Sequence, residues 1–278
     1  MACLLLNGQP LFCAGQPADI QAVLFDKDGT MSRSEPHLLA LAAARVQHCL
    51  NLVAPGEREE LSQLLRRAYG LQHQDDGLNP AGMTAVAARD QNLMGTAVAL
   101  TLLGHGWPES LALAEETFRL ADQDAAPEAA AAQITEGLVD LLIDLRRLGV
   151  RCAVISNDGH NGIRDFLAHH SLSEHIAAIW SADKLPRKPD PRAVHHLCDD
   201  LGVPPHECAL IGDANSDLHM ARSAGVALAM GYTGGWRQPV ALAAPYPQLH
   251  HWRELSVSES LEPPPGVSTA TRGTMATT

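Results

Sequence analysis

Apolar and polar positions alternate in three different rhythms along the chain. Near the start, "LLLNGQPLFC" (residues 4–13) sets Asn7-Gly8 between two apolar runs, a pattern that predicts an edge hairpin. The run Ala22-Val23-Leu24-Phe25 then predicts a buried strand that leads straight into "DKDGT" at residues 26–30. From Ser34 the spacing turns helical. Leu38, Leu41, Ala42, Val46, Cys49, Leu50 and Val53 fall on one helix face, with Ser34 as N-cap and Pro36 in the first turn. Further helices are predicted over 57–70, 81–103 and 108–122, and no convincing strand interrupts them. After "GLVDLLIDLRRLGV" the rhythm becomes strand–helix–strand. Strands are predicted at Cys152–Ile155, Ala177–Trp180, Cys208–Ile211 and Val226–Met230, and helices at Asn161–His170, Pro191–Leu201 and Ser216–Ala224. Short apolar runs alternating with helices predict a parallel sheet covered on both faces. The expected organisation is a discontinuous α/β core over 1–33 and 148–258, an inserted helical module over 34–147, and a disordered Pro/Ser/Thr-rich tail over 259–278.

Composition narrows the function classes. The 20 basic and 32 acidic residues give a net charge of −12, which argues against nucleic acid or an anionic membrane surface as partner. A few local cations still suffice for a small anionic ligand. No apolar run approaches the roughly 18–20 residues of a membrane span. The six cysteines form no C-x-x-C pair, and the N-terminus lacks a basic n-region. Buried thiols in a reducing compartment, and a cytoplasmic location, are therefore expected.

Four strand ends carry the candidate chemistry. Asp26 and Asp28 lie two apart in extended chain and would share a side, with Lys27 pointing away. Gly29 frees the turn, and Thr30 can hydrogen-bond a neighbouring carboxylate. Alone, D-x-D-G-T also fits an Asp-rich turn. An EF-hand loop beginning at Asp26 fails, because Met31 would stand where glycine is required and His37 where the bidentate Glu belongs. The second end, "CAVISND", places Ser156 after an apolar run, where a hydroxyl and helix-opening N–H groups can cradle an anion or merely cap a helix. In "KLPRKPDP" the prolines aim Lys188 rather than leaving it on a flexible surface. In "ALIGDANSD" Asp213 ends a strand and Asp217 follows about one helical turn later, suited to a hard cation or to helix capping.

Taken in order, these motifs resemble the haloacid dehalogenase-like hydrolase superfamily, specifically its phosphatase branch with a helical cap, such as the phosphoglycolate phosphatases. The resemblance implies a Rossmann-like three-layer core. It implies that Asp26 is the nucleophile and Asp28 the acid–base, with a raised pKa supplied by crowding from Asp26 and Asp213. It implies Mg²⁺ held by Asp26, the backbone carbonyl of Asp28, and Asp213, with Asp217 and Thr30 behind them. Ser156, Asn157 and Lys188 would hold the phosphoryl oxygens. The expected substrate is a small phosphorylated metabolite; the sequence leaves the oligomeric state undetermined. The family often has an aspartate before the serine that follows D-G-T-L, whereas "MSRSEP" here has Met31 and Arg33. Arg66, Arg67 and Arg89 are cap cations that could face the cleft or solvent. The doublets His169-His170, His195-His196 and His250-His251 are expected to be structural, since adjacent helical residues point apart. A phosphomutase and a non-catalytic phosphometabolite-binding protein remain alternatives. Dehalogenation is disfavoured because Asp28 is present.

Overall fold

A computed structural model describes residues 2–72, 77–124 and 132–259. The chain opens with β1 (Ala2–Leu6), β2 (Gln9–Pro10), β3 (Phe12–Cys13), β4 (Gln16–Pro17) and β5 (Asp19–Ile20). β1 and β2 form the hairpin expected at Asn7-Gly8, where both residues take positive φ (50° and 76°) as this tight turn requires. The hairpin is not on the edge of the main sheet. β1 is the centre of a separate antiparallel sheet, flanked by β5 and by a late strand described below.

The main sheet begins with β6 (Ala22–Phe25), whose four residues are all buried. β7 (Ser32–Arg33) then leads into the helical insertion. This comprises α1 (Glu35–Leu52), α2 (Arg58–Tyr69), α3 (Met83–Val86), α4 (Arg89–Leu102) and α5 (Trp107–Asp124). The single helix expected over 81–103 is thus two. Ala87 and Ala88 are extended, and the Asn92 amide donates to the carbonyls of Met83, Ala87 and Ala88 at 3.1–3.2 Å. No glycine or proline marks that break, so hydrophobic spacing alone passes through it. The insertion has its own core, with Val46, Cys49, Leu61, Leu65, Tyr69 and Leu100 packed together. The chain returns through β8 (Gln133–Ile134), which pairs antiparallel with β7, so a two-stranded ribbon ties the cap to the core.

The remaining elements are α6 (Leu138–Arg147), β9 (Arg151–Ile155), α7 (His160–His169), β10 (Ile176–Trp180), α8 (Pro191–Leu201), β11 (Cys208–Gly212), α9 (Asn215–Ala224), β12 (Leu228–Tyr232), β13 (Gln248–Leu249) and β14 (Leu255–Glu259). The helix α6, expected within the inserted module, belongs to the core instead. Its Leu138, Leu141, Leu142 and Leu145 stripe packs with Val23, Phe25 and Val154. An amphipathic stripe shows that a helix is covered, not by which layer. β14 pairs with β1 through Ala2–Glu259, so Glu259, expected in the tail, is a strand residue; residues 260–278 lie outside the described chain.

The main sheet has strand order β10-β9-β6-β11-β12-β13, with every pair parallel. Alternate residues divide between its faces, as the pleat requires. Ala22, Leu24, Ala153, Ile155 and Leu210 pack against α8 and α9. Val23, Phe25, Cys152, Val154 and Ile211 share the other core cluster with α6 and α7. The chain leaves β6 toward β9 on one side and later returns to β11 on the other. The strand order therefore reverses between β6 and β11, and the crevice beyond their carboxyl ends is where such sheets bind ligands.

Candidate active site

Asp26 leaves β6 at that crevice, its N–H bonded to the Ile211 carbonyl at 2.9 Å, and Asp213 leaves β11 beside it. Gly29 makes the reversal possible. Its φ is +76°, and a Cβ there would lie 2.1 Å from Trp236 Nε1 and 2.4 Å from Asp213 Oδ2, so only glycine fits. Asp26, Asp213 and Asp217 are all buried and offer carboxylate oxygens within 4.8 Å of one another. Lys188 Nζ lies 2.6 Å from Asp26 Oδ1 and 2.6 Å from Asp217 Oδ1. The first contact is a hydrogen bond. The second is a close ion pair, so one ammonium bridges the two carboxylates. Asp217 Oδ2 accepts from the Ala214 N–H at 3.2 Å. On Asp213, Oδ1 accepts from the Thr30 hydroxyl at 3.1 Å and Oδ2 from the Trp236 indole N–H at 2.6 Å.

Three buried carboxylates against one ammonium leave the cluster short of positive charge. Burial pushes Asp26 up to about 6, with Lys188 opposing and Asp217 reinforcing the rise. Asp213 is raised well above the carboxylate range by burial and by the charges of Asp26 and Asp217. Lys188 is held charged, because the two aspartates override the effect of its burial. Three oxygen donors converging within 4.8 Å and their mutual repulsion fit a hard divalent cation such as Mg²⁺.

Asp28 has a different environment from the one expected. Its carboxylate lies outside that cluster, and Lys27 does not point away from it. Lys27 is buried, with Nζ 2.8 Å from Asp28 Oδ1 and 2.9 Å from Asp158 Oδ2. Asp28 also accepts from the Ser34 hydroxyl. Ser34 does precede α1, but makes no side-chain cap bond; its hydroxyl serves the site instead. Burial would raise Asp28, but the charge and hydrogen bond of Lys27, with the Ser34 bond, hold it below its usual range. The expected upward shift is therefore reversed. The tight turn at Gly29 takes the chain out of the extended geometry from which the side-chain directions were argued.

Ser156 is buried at the end of β9, and its Oγ accepts from the Asp158 N–H at 3.2 Å. The Asn157 amide donates across the cleft to the Val86 carbonyl of the cap at 2.9 Å. Arg187 joins the same two bodies through Asp90. A cavity of about 530 Å³ lies between core and cap, and Asp26, Asp28, Ser156, Asn157, Lys188, Asp213 and Asp217 all line it. Arg89 lines it too, but is bonded to Asp122. Arg66 and Arg67 are in the last turn of α2 and do not line it. The histidine doublets have structural partners: His170 bonds to the Ala132 carbonyl, His195 to the Ala224 carbonyl, and His196 stacks on Trp180. His250 bonds to Thr233, and the His251 ring accepts from the Arg253 N–H.

Several residues at the site escaped sequence reasoning. Trp236 carries no motif, although Gly235 beside it packs against Gly29, where a Cβ would meet the Gly29 carbonyl at 1.9 Å. Glu35 is buried and accepts from the N–H groups of Leu78 in the cap and Arg237 in the core, at 3.1 and 2.9 Å. Asp158 pairs with Lys27. Arg45 is buried and lines the cavity.

Known proteins resemble this chain over most of its length. The chain is 28% identical over 261 residues to phosphoglycolate phosphatase 1 of Pseudomonas aeruginosa, covering 89% of this chain and 81% of that one. It is 30% identical over 250 residues to the phosphoglycolate phosphatase of Pseudomonas fluorescens, covering 87% and 80%. A crystal structure of a predicted phosphoglycolate phosphatase from Haemophilus somnus shares the fold with a TM-score of 0.61 at 18% identity, covering 84% of this chain and 96% of that one. The family model for haloacid dehalogenase-like hydrolases matches residues 20–225, which span β6 through α9 and so every carboxylate and lysine just described. The chain belongs to the haloacid dehalogenase-like hydrolase family.

Proposed function

We propose that this enzyme is a Mg²⁺-dependent phosphatase that hydrolyses a small phosphorylated metabolite, phosphoglycolate or a close analogue, through a phosphorylated Asp26. The observation that carries the reading is the pairing of Asp26 with Lys188 inside a carboxylate cluster at the switch point of the sheet. In that reading Asp26 attacks phosphorus, forming an acyl phosphate as the ester oxygen leaves. Lys188 and Ser156 hold the non-bridging oxygens, with Asn157 steering the cradle toward the cap. Asp28 supplies the proton to the leaving oxygen and then takes one from the water that attacks the acyl phosphate. Asp26, Asp213 and the Asp28 carbonyl would hold Mg²⁺, with Asp217 and Thr30 orienting them. The bound ion would supply charge neutralisation for the phosphoryl group and the carboxylates.

Asp28 must first gain a proton, because Lys27 holds it ionised in the free enzyme. Binding of the anionic phosphoryl group brings negative charge beside Asp28, so Asp28 takes a proton from solvent while Lys27 keeps its pairing with Asp158; that proton goes to the leaving ester oxygen, and Asp28, ionised again, accepts one from the attacking water. The test measures phosphate release from a panel of small esters by wild type and Asp26→Asn, each with Mg²⁺ and with chelator. Metal-dependent release that disappears in the variant is expected, together with an acid-trapped phosphoryl group on Asp26 by mass spectrometry. Release unaffected by Asp26→Asn would overturn the reading.

A further inference from the structure

Five cations line the cavity above Asp26: Lys27, Arg45, Arg89, Arg187 and Lys188. Four have carboxylate partners. Lys27 pairs with Asp28 and Asp158, Arg89 with Asp122, Arg187 with Asp90, and Lys188 with Asp26 and Asp217. Arg45 has none among the described residues. It is 5% exposed, and its Nε lacks any hydrogen-bond partner. Its guanidinium carbon sits 4.1 Å from the centroid of the Phe118 ring. Such a contact offsets only part of the cost of burying a charge that has no counter-ion. Burial lowers its pKa to about 10, and Arg89 adds to the fall against Tyr69 and Asp122, so the group stays charged at neutral pH.

The placement is systematic. Leu38, Leu41 and Arg45 follow one another at helical spacing along α1, and all three face the cavity. The cap therefore presents an apolar wall that ends in a buried fork of N–H donors. Phosphoryl binding at Lys188 satisfies nothing at Arg45, which belongs to the opposite body of the protein.

We infer that Arg45 is a specificity-determining residue that pairs with a second anionic group of the substrate, a carboxylate or a further phosphate, while the phosphoryl group to be transferred rests against Asp26 and Lys188. This deepens the phosphatase reading and rests on it for the identity of the first anion. A guanidinium takes carboxylate or phosphate through two parallel bonds. The substrate class is thus small phosphomonoesters that carry an added negative charge, and neutral esters gain nothing from the cap.

The test uses calorimetric binding with Mg²⁺ present, in an Asp26→Asn background that does not turn over. The ligands are 2-phosphoglycolate and ethyl phosphate, which lacks the carboxylate. Adding Arg45→Met is expected to weaken phosphoglycolate binding by about 100-fold, the scale for removing one partner of a buried charge pair, and to leave ethyl phosphate unchanged. Arg45→Lys, which keeps the charge but loses the fork, should recover part of the loss. Equal weakening of both ligands, no change in either, or failure of both phosphoglycolate and a bisphosphate, 1,2-ethanediol bisphosphate, to bind would each overturn the assignment. The phosphatase reading fails separately: wild type would bind phosphoglycolate in an Arg45-dependent way yet release no phosphate.

Discussion

The carboxylate cluster makes an unusual stability prediction for Asp213→Asn. The substituted amide is the same shape and can keep both hydrogen bonds of the side chain. Its oxygen can accept from Trp236 Nε1, now 2.6 Å from Oδ2, and its NH₂ can donate to the Thr30 hydroxyl, now 3.1 Å from Oδ1. What disappears is a buried negative charge facing two others. Burial and the charges of Asp26 and Asp217 disfavour an ionised Asp213, and relief of about 1–3 kcal/mol is expected on the scale of an uncompensated buried charge. In a domain of this size that is a rise in Tm of about 2–10 °C without metal. The sign with pH follows from the raised values. A carboxylate raised on folding contributes stability that is full below its unfolded pKa and lost as pH rises through its folded one. The variant's advantage should therefore be small near pH 4 and grow as the pH rises toward the raised folded value of Asp213. Mg²⁺ should reverse the ranking, since it stabilises wild type by about 2.7 kcal/mol at a hundred times its Kd and the variant far less. Scanning calorimetry at several pH values, with Mg²⁺ and with chelator, checks each part. A metal-free variant less stable than wild type at pH 7.5, or one that gains as much from Mg²⁺, refutes the argument.

Two other substitutions examine the site and the cap. Lys27→Met removes the ammonium 2.8 Å from Asp28, so Asp28 should move up toward the value burial alone would give. The group controlled by Asp28 in the pH–rate profile should titrate at higher pH than in wild type, and an unshifted profile would show that Lys27 does not set it. Leu65→Ala opens a void in the cap's own core, where Leu65 is fully buried; a loss of about 2–5 kcal/mol is expected by denaturant titration. A loss well below 1 kcal/mol would mean that this cluster does not hold the cap together.

The strands and most helices were legible because burial on both faces of a parallel sheet writes continuous apolar runs, and amphipathic helices write a 3.6-residue period. The strand-end residues were legible for a related reason. Asp26, Ser156 and Asp213 stand where an apolar run stops, and Lys188 stands in a proline frame, so local context flags each. The helix break at Ala87-Ala88 left no such mark, because a single asparagine side chain secures it. Nor did the layer on which α6 packs, since its stripe would serve cap and core equally well.

The cap's contribution to the site was hidden for a deeper reason. Core residues meet at the site because they end successive strands of one sheet, an order the sequence preserves. Cap residues meet it across a cleft, through the packing of separate helices, and no spacing records that. Arg45 and Arg89 differ little as isolated letters in helical segments. The structure distinguishes them: Arg89 is answered by Asp122, whereas Arg45 is buried over Phe118 at the cavity, with no carboxylate paired to it among the described residues. The same separation divides the chemistry. Asp26, Asp213, Asp217 and Lys188 form one charge system that the strand order builds, and in the proposed reaction it requires only a phosphoryl group and a cation. On the same proposal, choosing among phosphoryl donors falls to side chains that the core cannot specify, so the cap could change its chemistry while the core residues stay as they are.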